Sequence, residues 1–546
     1  MKDNGMIYFA KAGNGETFTD KIYLNPKMAN RHGFICGATG TGKTVTLKVL
    51  AESFSSIGVP VFISDVKGDV AGMVKPGTDS ENMQKRIEKF GLGDFSYRGC
   101  PCSFFDIYGE KGVPLRATVS EIGPLLMSRI LDLNETQADL LSVVYKIADD
   151  NGLLLIDTKD LKAVLNYAYE NAADFEMAYG HIAKASVSSI VRSIVSLEAE
   201  GGDKFFAEPA LDIKDFFIVN ADGCGMVNIL DAESLINHPR LYSAFMLYLL
   251  SELFELLPEV GDPEKPKMVF FFDEAHLIFN NASRTLLEKI NQVVKLIRSK
   301  GVGIYFVTQS PSDIPAEVLG QLSNKIEHAL RAYTPQEIKA LKASADAFRA
   351  NPEFDTTELL QNLGTGEAVV SLLDEKGIPT VAQHAYILPP QCSMEAISDE
   401  ERQNLIDSSV FRVKYGTMVD NDSAYEFLAR KKKEQTDAQN AQAAKEEADK
   451  QAEKEAKETA KAQERAEKEA AKQAEKEEKA AQKEAEKKAK KTQTAIKNVA
   501  SSVTGTVGRE IGKTIGSSIG GSFGKTLGGN LGASLGRSIL GTFFKS

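Results

Sequence analysis

The residues best suited to chemistry form a glycine-rich run that fits the P-loop pattern Gly-x-x-x-x-Gly-Lys-Thr. In such a loop the backbone amides wrap phosphate oxygens, Lys43 reaches the β- and γ-phosphates, and Thr44 ligates Mg²⁺. The apolar residues 34–36 before the run predict a short buried strand, and residues 45–54 after it have helical spacing. This context predicts that ATP is bound by Gly37, Ala38, Thr39, Gly40, Thr41, Gly42, Lys43 and Thr44.

Two carboxylates end the most apolar strand candidate, residues 268–273. Asp273 at a strand end suits a residue that holds Mg²⁺ through its water shell, so the predicted metal residues are Thr44 and Asp273. Glu274 next to it suits a general base for an attacking water, which favours ATP hydrolysis over nucleotide holding. The alternative is that the pair caps the following turn. His276 serves packing or a local hydrogen bond as readily as catalysis.

Four further residues have two interpretations each, and Asp65 and Lys67 share theirs. Gln309 ends the next strand candidate, where an amide reads a γ-phosphate or orients water, or else caps a loop. Arg298 is either a surface arginine or a finger that reaches the γ-phosphate of a neighbouring subunit. Asp65 and Lys67 follow the strand candidate 59–64, where they couple nucleotide state to a ligand or form a local ion pair with each other.

Strands that alternate with helices must position these groups, which predicts an α/β fold with a mostly parallel sheet. Further strands are predicted at 303–308, 367–373 and 380–386, and β character at 216–230. The predicted segments are a β-like start (1–30), the first part of the core (31–116), a helical insertion (117–205), the second part of the core (206–429), an Ala/Glu/Lys-rich helix or spacer (430–491) and a glycine-periodic tail (492–546).

The last two segments differ sharply from the rest of the chain. Residues 430–491 contain strong helix formers but no apolar seam, so a tight coiled coil is not expected. In the tail, glycine recurs at every fourth position from Gly508 to Gly536, each time after an apolar residue. This spacing predicts a helix that packs against a second copy or lies on a membrane surface, and a flexible tail is the alternative.

Composition bounds the partners and the compartment. The net charge is −11 overall, but it is −19 for residues 1–429, +3 for 430–491 and +5 for 492–546. An acidic body argues against a broad nucleic-acid surface, although it leaves room for a local basic channel. Five cysteines without metal-ligand spacing, no secretory signal and no apolar run of membrane-spanning length predict a cytoplasmic protein, with membrane association only through the tail.

The chain resembles the HerA/FtsK superfamily of motor ATPases, and more closely the bacterial HerA-like helicase family, over about residues 20–430. The stretches that carry the resemblance are Arg31-His-Gly-Phe-Ile-Cys-Gly-Ala-Thr-Gly-Thr-Gly-Lys-Thr, Asp65-Val-Lys-Gly-Asp, Phe271-Phe-Asp-Glu-Ala-His, Thr308-Gln-Ser-Pro and Leu363-Gly-Thr-Gly-Glu-Ala. It implies a RecA-like core, a hexameric ring, ATP hydrolysis between subunits and translocation of double-stranded DNA. The family's Walker A pair, Walker B aspartate, catalytic glutamate, polar sensor and arginine finger fall on Lys43 and Thr44, Asp273, Glu274, Gln309 and Arg298.

Two features depart from that family. The P-loop begins at Gly37, so the N-terminal β-barrel of HerA helicases, and the nuclease that docks on it, are not expected. The acidic body and the glycine-periodic tail are also unusual for a DNA pump. Two alternatives therefore stay open: an ATPase that acts on proteins or at a membrane surface, and a nucleotide-gated oligomeric scaffold.

Overall fold

The structure is a computed structural model that describes residues 2–3, 5–13, 18–279 and 284–492. Its contacts divide the chain into two units, residues 1–437 and 438–546. The first unit contains all of the described strands and the predicted nucleotide site. The predicted glycine-periodic tail lies outside the described residues, apart from Thr492.

The described strands form a single sheet. In chain order they are β1 (Lys2–Asp3), β2 (Met6–Gly13), β3 (Phe18–Leu24), β4 (Gly33–Cys36), β5 (Val61–Asp65), β6 (Cys102–Asp106), β7 (Val113–Pro114), β8 (Val227–Asp231), β9 (Met268–Phe272), β10 (Val302–Thr308), β11 (Asn324–Glu327), β12 (Glu367–Ser371) and β13 (Gln383–Ile387). Their order across the sheet is β1-β2-β13-β12-β11-β4-β10-β9-β5-β8-β6-β7, and β3 pairs with β2.

The strands from β11 to β7 in that order are parallel, whereas β12, β13, β2, β1 and β3 extend the sheet with antiparallel pairs. This arrangement confirms the predicted α/β class with a mostly parallel sheet. Because parallel strands share one carboxyl edge, the ends of β4, β5, β9 and β10 meet there, and ligands of such sheets bind at that edge.

Helices connect most of the strands, and three more of the described helices follow the last strand in sequence. The described α-helices are α1 (Lys43–Ser56), α2 (Glu81–Lys89), α3 (Val119–Ile130), α4 (Glu135–Asp150), α5 (Thr158–Glu170), α6 (Ala172–Tyr179), α7 (Lys184–Ala199), α8 (Gly202–Phe205), α9 (Pro239–Leu256), α10 (His276–Phe279), α11 (Arg284–Ile297), α12 (Ala316–Leu319), α13 (Pro335–Asp346), α14 (Thr356–Asn362), α15 (Asp399–Ser408), α16 (Val410–Tyr415) and α17 (Ala424–Thr492). None of these described helices is both long and apolar enough to cross a membrane.

Aromatic side chains pack helices on both faces of the central strands. Tyr305 of β10 has its ring centroid 6.1 Å from that of Phe54 on α1, whereas its neighbour Phe306 lies 5.3 Å from Phe279 on α10. Successive strand residues point to opposite faces, so α1 and α10 cover opposite sides of the sheet. Strands buried on both faces are continuously apolar, which explains the run in β9.

Helices α3 to α8 occupy the stretch between β7 and β8. The first three begin with reciprocal capping boxes, whose N-cap residues are Thr118, Asn134 and Asp157. Helix α4 buries Leu141, Val144 and Ala148 at helical spacing.

The structure differs from the sequence predictions in the strands with the weakest apolar signal. Only Val227–Asp231 of the predicted β region 216–230 is a strand, because residues 213–217 form a 3-10 turn. Strands β6, β7 and β11 were not predicted: β6 and β7 are short, and β11 has Ile326 as its one apolar residue beside charged neighbours. The β-like start of the chain extends the main sheet by pairing β2 with β13.

Helix α17 is 69 residues long and includes the predicted Ala/Glu/Lys-rich segment. Near its start, Lys432 pairs with Glu170 of α5 at 3.0 Å. Further along, its own Glu and Lys side chains pair across one turn, as Glu464 and Lys468 do at 2.6 Å.

Candidate active site

The P-loop joins β4 to α1, and its backbone is hydrogen-bonded to the ends of the neighbouring strands β10 and β11. The amide of Gly37 donates to the Thr308 carbonyl at the end of β10, at 3.3 Å, and the amide of Ala38 donates to the Ala329 carbonyl beyond β11, at 2.8 Å. Gly40 and Gly42 have φ angles of +76° and +116°, which favour glycine. Hydrogen bonds to the neighbouring strands and these glycine angles therefore define the shape of the loop.

Two residues far away in sequence support the loop from behind. A Cβ on Gly37 would lie 2.5 Å from the Cβ of His328, and a Cβ on Gly42 would lie 3.2 Å from the Cα of Gly366. The amide of Gly366 also donates to the Thr41 carbonyl at 2.9 Å. Neither residue was predicted to have a role, although Gly366 belongs to a stretch that carries the family resemblance.

His328 is completely buried and links the P-loop helix to β12. Its Nδ1 lies 2.8 Å from the Glu367 carbonyl, which can only accept, so Nδ1 carries the proton. Its Nε2, 2.8 Å from Oγ1 of Thr46 on α1, then accepts from that hydroxyl. Burial, with a smaller effect of the Lys43 charge, lowers the pKa of His328 to about 4. The neutral ring is thus part of the folded site.

We expect this histidine to make stability depend on pH. Because its pKa is about 4 when folded and about 6.5 when unfolded, the unfolded chain binds the extra proton as pH falls through this window. The stability advantage of the wild type over His328→Asn should therefore shrink by on the order of 2 kcal/mol between pH 7 and pH 5. Denaturant unfolding of both proteins at the two pH values measures it, and parallel pH profiles would contradict it.

Lys43 lies inside the loop, with its ammonium 2.6 Å from the Gly37 carbonyl and 3.1 Å from the Ala38 carbonyl. Burial, followed by the nearby Lys67 charge, lowers its pKa. A partly desolvated cation among loop amides is well placed to bind phosphate oxygens.

Thr44, which directly follows Lys43, connects the P-loop to the loop after β5. Oγ1 of Thr44 donates to Oδ2 of Asp69 at 3.2 Å, while Oδ1 of Asp69 is buried and has no hydrogen-bond partner among the described residues. Asp65 shapes this loop by accepting from the amides of Gly68 and Val70, at 2.8 and 3.0 Å. Burial, with the neighbouring Asp69 charge, raises the pKa of Asp65 to about 6.

Asp273 and Glu274 follow β9 at the same edge. Burial raises the pKa of Asp273 to about 7, although the Lys67 charge opposes it. Burial also acts to raise the pKa of Glu274, but hydrogen bonds and charges from Lys67, Gln309 and His276 outweigh it, so this pKa is lowered. Glu274 is therefore an ionised carboxylate in a nearly buried position, and its φ of +46° is unusual for a residue with a side chain.

The partners of Glu274 correct two sequence interpretations. Lys67 does not pair locally with Asp65; its ammonium contacts Oε1 of Glu274. Nε2 of Gln309 donates to both carboxylate oxygens at 3.2 and 3.3 Å, and the role of loop cap is taken by Asp313, which accepts from the Ser310 amide at 3.1 Å.

His276 lies beside the same carboxylate, with its Nδ1 3.2 Å from Oε2 of Glu274. It therefore makes the local contact that the sequence left open.

Arg298 is not brought to this group. It belongs to the turn Arg298–Lys300 before β10, and its guanidinium lies 3.4 Å from Oδ1 of Asp262. The seven residues of β10 separate it from Gln309 by roughly 23 Å at about 3.3 Å per residue. Within one chain Arg298 therefore lies at the opposite edge of the sheet from the P-loop.

A metal site built only from protein side chains is not present among the described residues, which contain no cluster of three or more His, Cys, Asp or Glu arranged to hold an ion. Mg²⁺ in nucleotide sites is usually held by one or two protein oxygens together with phosphates and waters. Thr44, Asp273 and the orphaned Oδ1 of Asp69 fit that donor set. Asp69 was not among the residues predicted from the sequence, although it lies in the Asp65-Val-Lys-Gly-Asp stretch.

A cavity of about 590 Å³ opens beside the loop and is within the usual size range of ligand pockets. Its wall includes Ala38, Thr39, Gln309 and Arg331. The P-loop and the partner of Glu274 thus share one accessible space.

Known proteins with similar sequences are helicases. The DNA double-strand break repair helicase HerA of Sulfolobus acidocaldarius is 23% identical over 378 residues, which is 65% of this chain and 65% of that protein. The HerA of Saccharolobus solfataricus is 24% identical over 361 residues, covering 64% and 63%. The probable helicase MJECL08 of Methanocaldococcus jannaschii is 34% identical over 116 residues, 20% of each chain. This chain thus spans about 65% of the length of the HerA proteins that it matches.

Some solved structures are similar to this chain at low sequence identity. The plasmid coupling protein TrwB in complex with the GTP analogue GDPNP has a TM-score of 0.48 and 13% identity over 72% of this chain and 96% of that one. VirB4 of Thermoanaerobacter pseudethanolicus has a TM-score of 0.43 and 17% identity over 74% and 99%. The family model described as Helicase HerA-like C-terminal matches residues 12–527. Since that match spans most of the 546 residues, the chain belongs to the HerA-like family within the HerA/FtsK superfamily.

Proposed function

We propose that the protein is a Mg²⁺-dependent ATPase of the HerA/FtsK type. The supporting observation is that the P-loop with Lys43 and the Glu274–Gln309 pair meet at one edge of the sheet, although they come from β4, β9 and β10. No single stretch of sequence could bring these groups together, and each has the chemistry that one step of ATP hydrolysis needs.

The chain's own groups divide the work. The P-loop amides and the Lys43 ammonium bind the phosphates, which positions the γ-phosphate and stabilises the charge that develops on it. Glu274, held ionised, accepts the proton of the attacking water, and Gln309 orients that carboxylate through its amide. Thr44, Asp69 and Asp273 would hold Mg²⁺, which would neutralise phosphate charge.

The proposed consequence of hydrolysis is movement of double-stranded DNA through a ring of identical subunits. The relatives that are named DNA double-strand break repair helicases support this substrate. A ring also gives Arg298 a use, because a residue far from its own P-loop is free to approach the nucleotide of a neighbour. We propose a hexamer for the ring, and a cytoplasmic location because all five cysteines are free thiols.

The test is the steady-state ATPase rate of the full chain with and without duplex DNA, at low and at moderate salt. We expect turnover that requires Mg²⁺, is stimulated by duplex DNA, and loses that stimulation as salt rises. A mass measurement with Mg-ATP should give six subunits. Turnover that no nucleic acid changes at low salt would contradict the DNA substrate, and absence of turnover would contradict the ATPase.

A further inference from the structure

Both carboxylate oxygens of Glu274, the general-base candidate, have contact partners within the protein. Both oxygens of Glu274 accept from Gln309, Oε1 also contacts the Lys67 ammonium, and Oε2 lies 3.2 Å from Nδ1 of His276. The side chain is only 4% exposed. A carboxylate that takes a proton from water must direct one oxygen at that water, so at least one of these contacts has to be released before hydrolysis.

Lys67 is the partner best able to leave. Its side chain is 41% exposed, and it belongs to the short loop between Asp65 and Val70 rather than to a strand or helix. Lysine carries its charge on a flexible stem, and the ammonium can exchange one anion for another without moving the backbone. Gln309, in contrast, directly follows the central strand β10.

The same ammonium lies near the P-loop lysine. It lowers the pKa of Lys43, after the larger effect of burial, so the two lysines are close in space. Burial acts to lower the pKa of Lys67 itself, but the hydrogen bond to Glu274 and the charges of Asp273, Glu274 and Asp69 outweigh it and raise this pKa. The Lys67 ammonium thus lies between the P-loop lysine and the carboxylate of Glu274.

The Lys67 loop is also tied to the P-loop helix. Asp69, two residues after Lys67, accepts from Oγ1 of Thr44 at 3.2 Å, and Thr44 directly follows the P-loop lysine. A change in the contacts of Thr44 would therefore act on a residue only two positions from Lys67.

We propose that Lys67 is a second phosphate-binding lysine. Its ammonium exchanges the Glu274 carboxylate, its partner in this structure, for the γ-phosphate when ATP binds, and Glu274 is then free to act on water. The proposal rests on the ATPase function above. It makes the γ-phosphate itself the signal that activates the base, because ADP offers no third phosphate for Lys67 to bind. The Glu274 ion pair then opposes ATP binding but does not oppose ADP binding.

The experiment measures the dissociation constants of a non-hydrolysable ATP analogue and of ADP, both with Mg²⁺, for the full chain by calorimetry. The quantity of interest is the preference for the ATP analogue over ADP. The variants are Lys67→Met, Lys67→Arg, Glu274→Gln and the double variant Lys67→Met/Glu274→Gln. Lys75→Met is the matched control, because Lys75 is similarly exposed, at 45%, and its ion pair is with Glu401.

We expect Lys67→Met to reduce the preference for the ATP analogue by about tenfold or more, as the loss of a charge-assisted hydrogen bond would, with ADP affinity almost unchanged. Lys67→Arg should retain most of the preference, and Lys75→Met should retain all of it. Glu274→Gln should increase the preference, and this gain should be larger with Lys67 present than in the Lys67→Met background.

An unchanged preference in Lys67→Met, in protein whose thermal unfolding matches the wild type, would overturn the proposal. A Glu274→Gln gain that is equal or larger without Lys67 would also overturn it, because the ion pair would then not oppose ATP binding. If the wild type binds neither nucleotide, the ATPase function has failed instead, and the two failures are thus distinguishable.

Discussion

Replacing Glu274 by glutamine is expected to lower the kcat of ATP hydrolysis by about 10²–10⁴-fold, the usual contribution of a general base. The amide keeps the size of the side chain and can still contact Gln309, but it cannot accept the proton of the attacking water. ATP should remain bound, because the P-loop is untouched. Single-turnover hydrolysis beside nucleotide binding separates the two effects.

The matched control for this variant is Glu401→Gln. Glu401 on α15 also pairs with a lysine, Lys75 at 2.8 Å, but it lies outside the group of residues around the P-loop. Its removal should leave kcat unchanged. Hydrolysis at wild-type rate in Glu274→Gln would mean that another group activates the water.

Lys43→Ala is expected to weaken ATP binding by about 2–5 kcal/mol, the range for truncating one member of a buried, hydrogen-bonded charge pair. Lys43 is 7% exposed, and within the described part of the chain its ammonium bonds to carbonyls of its own loop. Its loss should therefore remove phosphate affinity with little effect on the fold. Titration with a fluorescent ATP analogue measures the change, and the thermal unfolding midpoint checks the fold.

Lys27→Ala gives the comparison for the lysine variant. Lys27 lies in the turn before β4, at the amino end of that strand. Its side chain is exposed, and its ammonium pairs with Glu264 at 3.0 Å. Its removal should leave nucleotide affinity within experimental error. Equal affinity of Lys43→Ala and the wild type would show that the nucleotide binds elsewhere.

The contiguous parts of the site could be predicted from sequence because each is a strand end followed by its functional residues. The P-loop and the pair Asp273–Glu274 both follow continuous apolar strands, so their placement at one sheet edge follows from the parallel class alone. Strand direction also carries information on Arg298: it precedes β10, whereas Gln309 follows it, which puts the two at opposite edges.

The supporting residues could not be found this way. His328 reaches the P-loop only because β11 pairs beside β4, and β11 has a single apolar residue in its sequence. Gly366 precedes β12, which joins the sheet antiparallel to β11. Lys67 and Glu274 are more than 200 residues apart, and their ion pair depends on the adjacency of β5 and β9. Pairing across the sheet is long-range information that local patterns do not contain.

The strand order has a consequence for how the chain is made on the ribosome. Strand β8 lies between β5 and β6, and β4 lies between β10 and β11, so early strands must wait for partners that emerge hundreds of residues later. Strand β2 pairs with β13, and this edge closes only after Ile387 has been synthesised. Such long waits leave strand edges exposed during synthesis, which favours aggregation. Codon changes that stall the ribosome within the α3–α8 stretch should therefore increase the insoluble fraction of the protein. They should do so even though that stretch is separate in sequence from the P-loop.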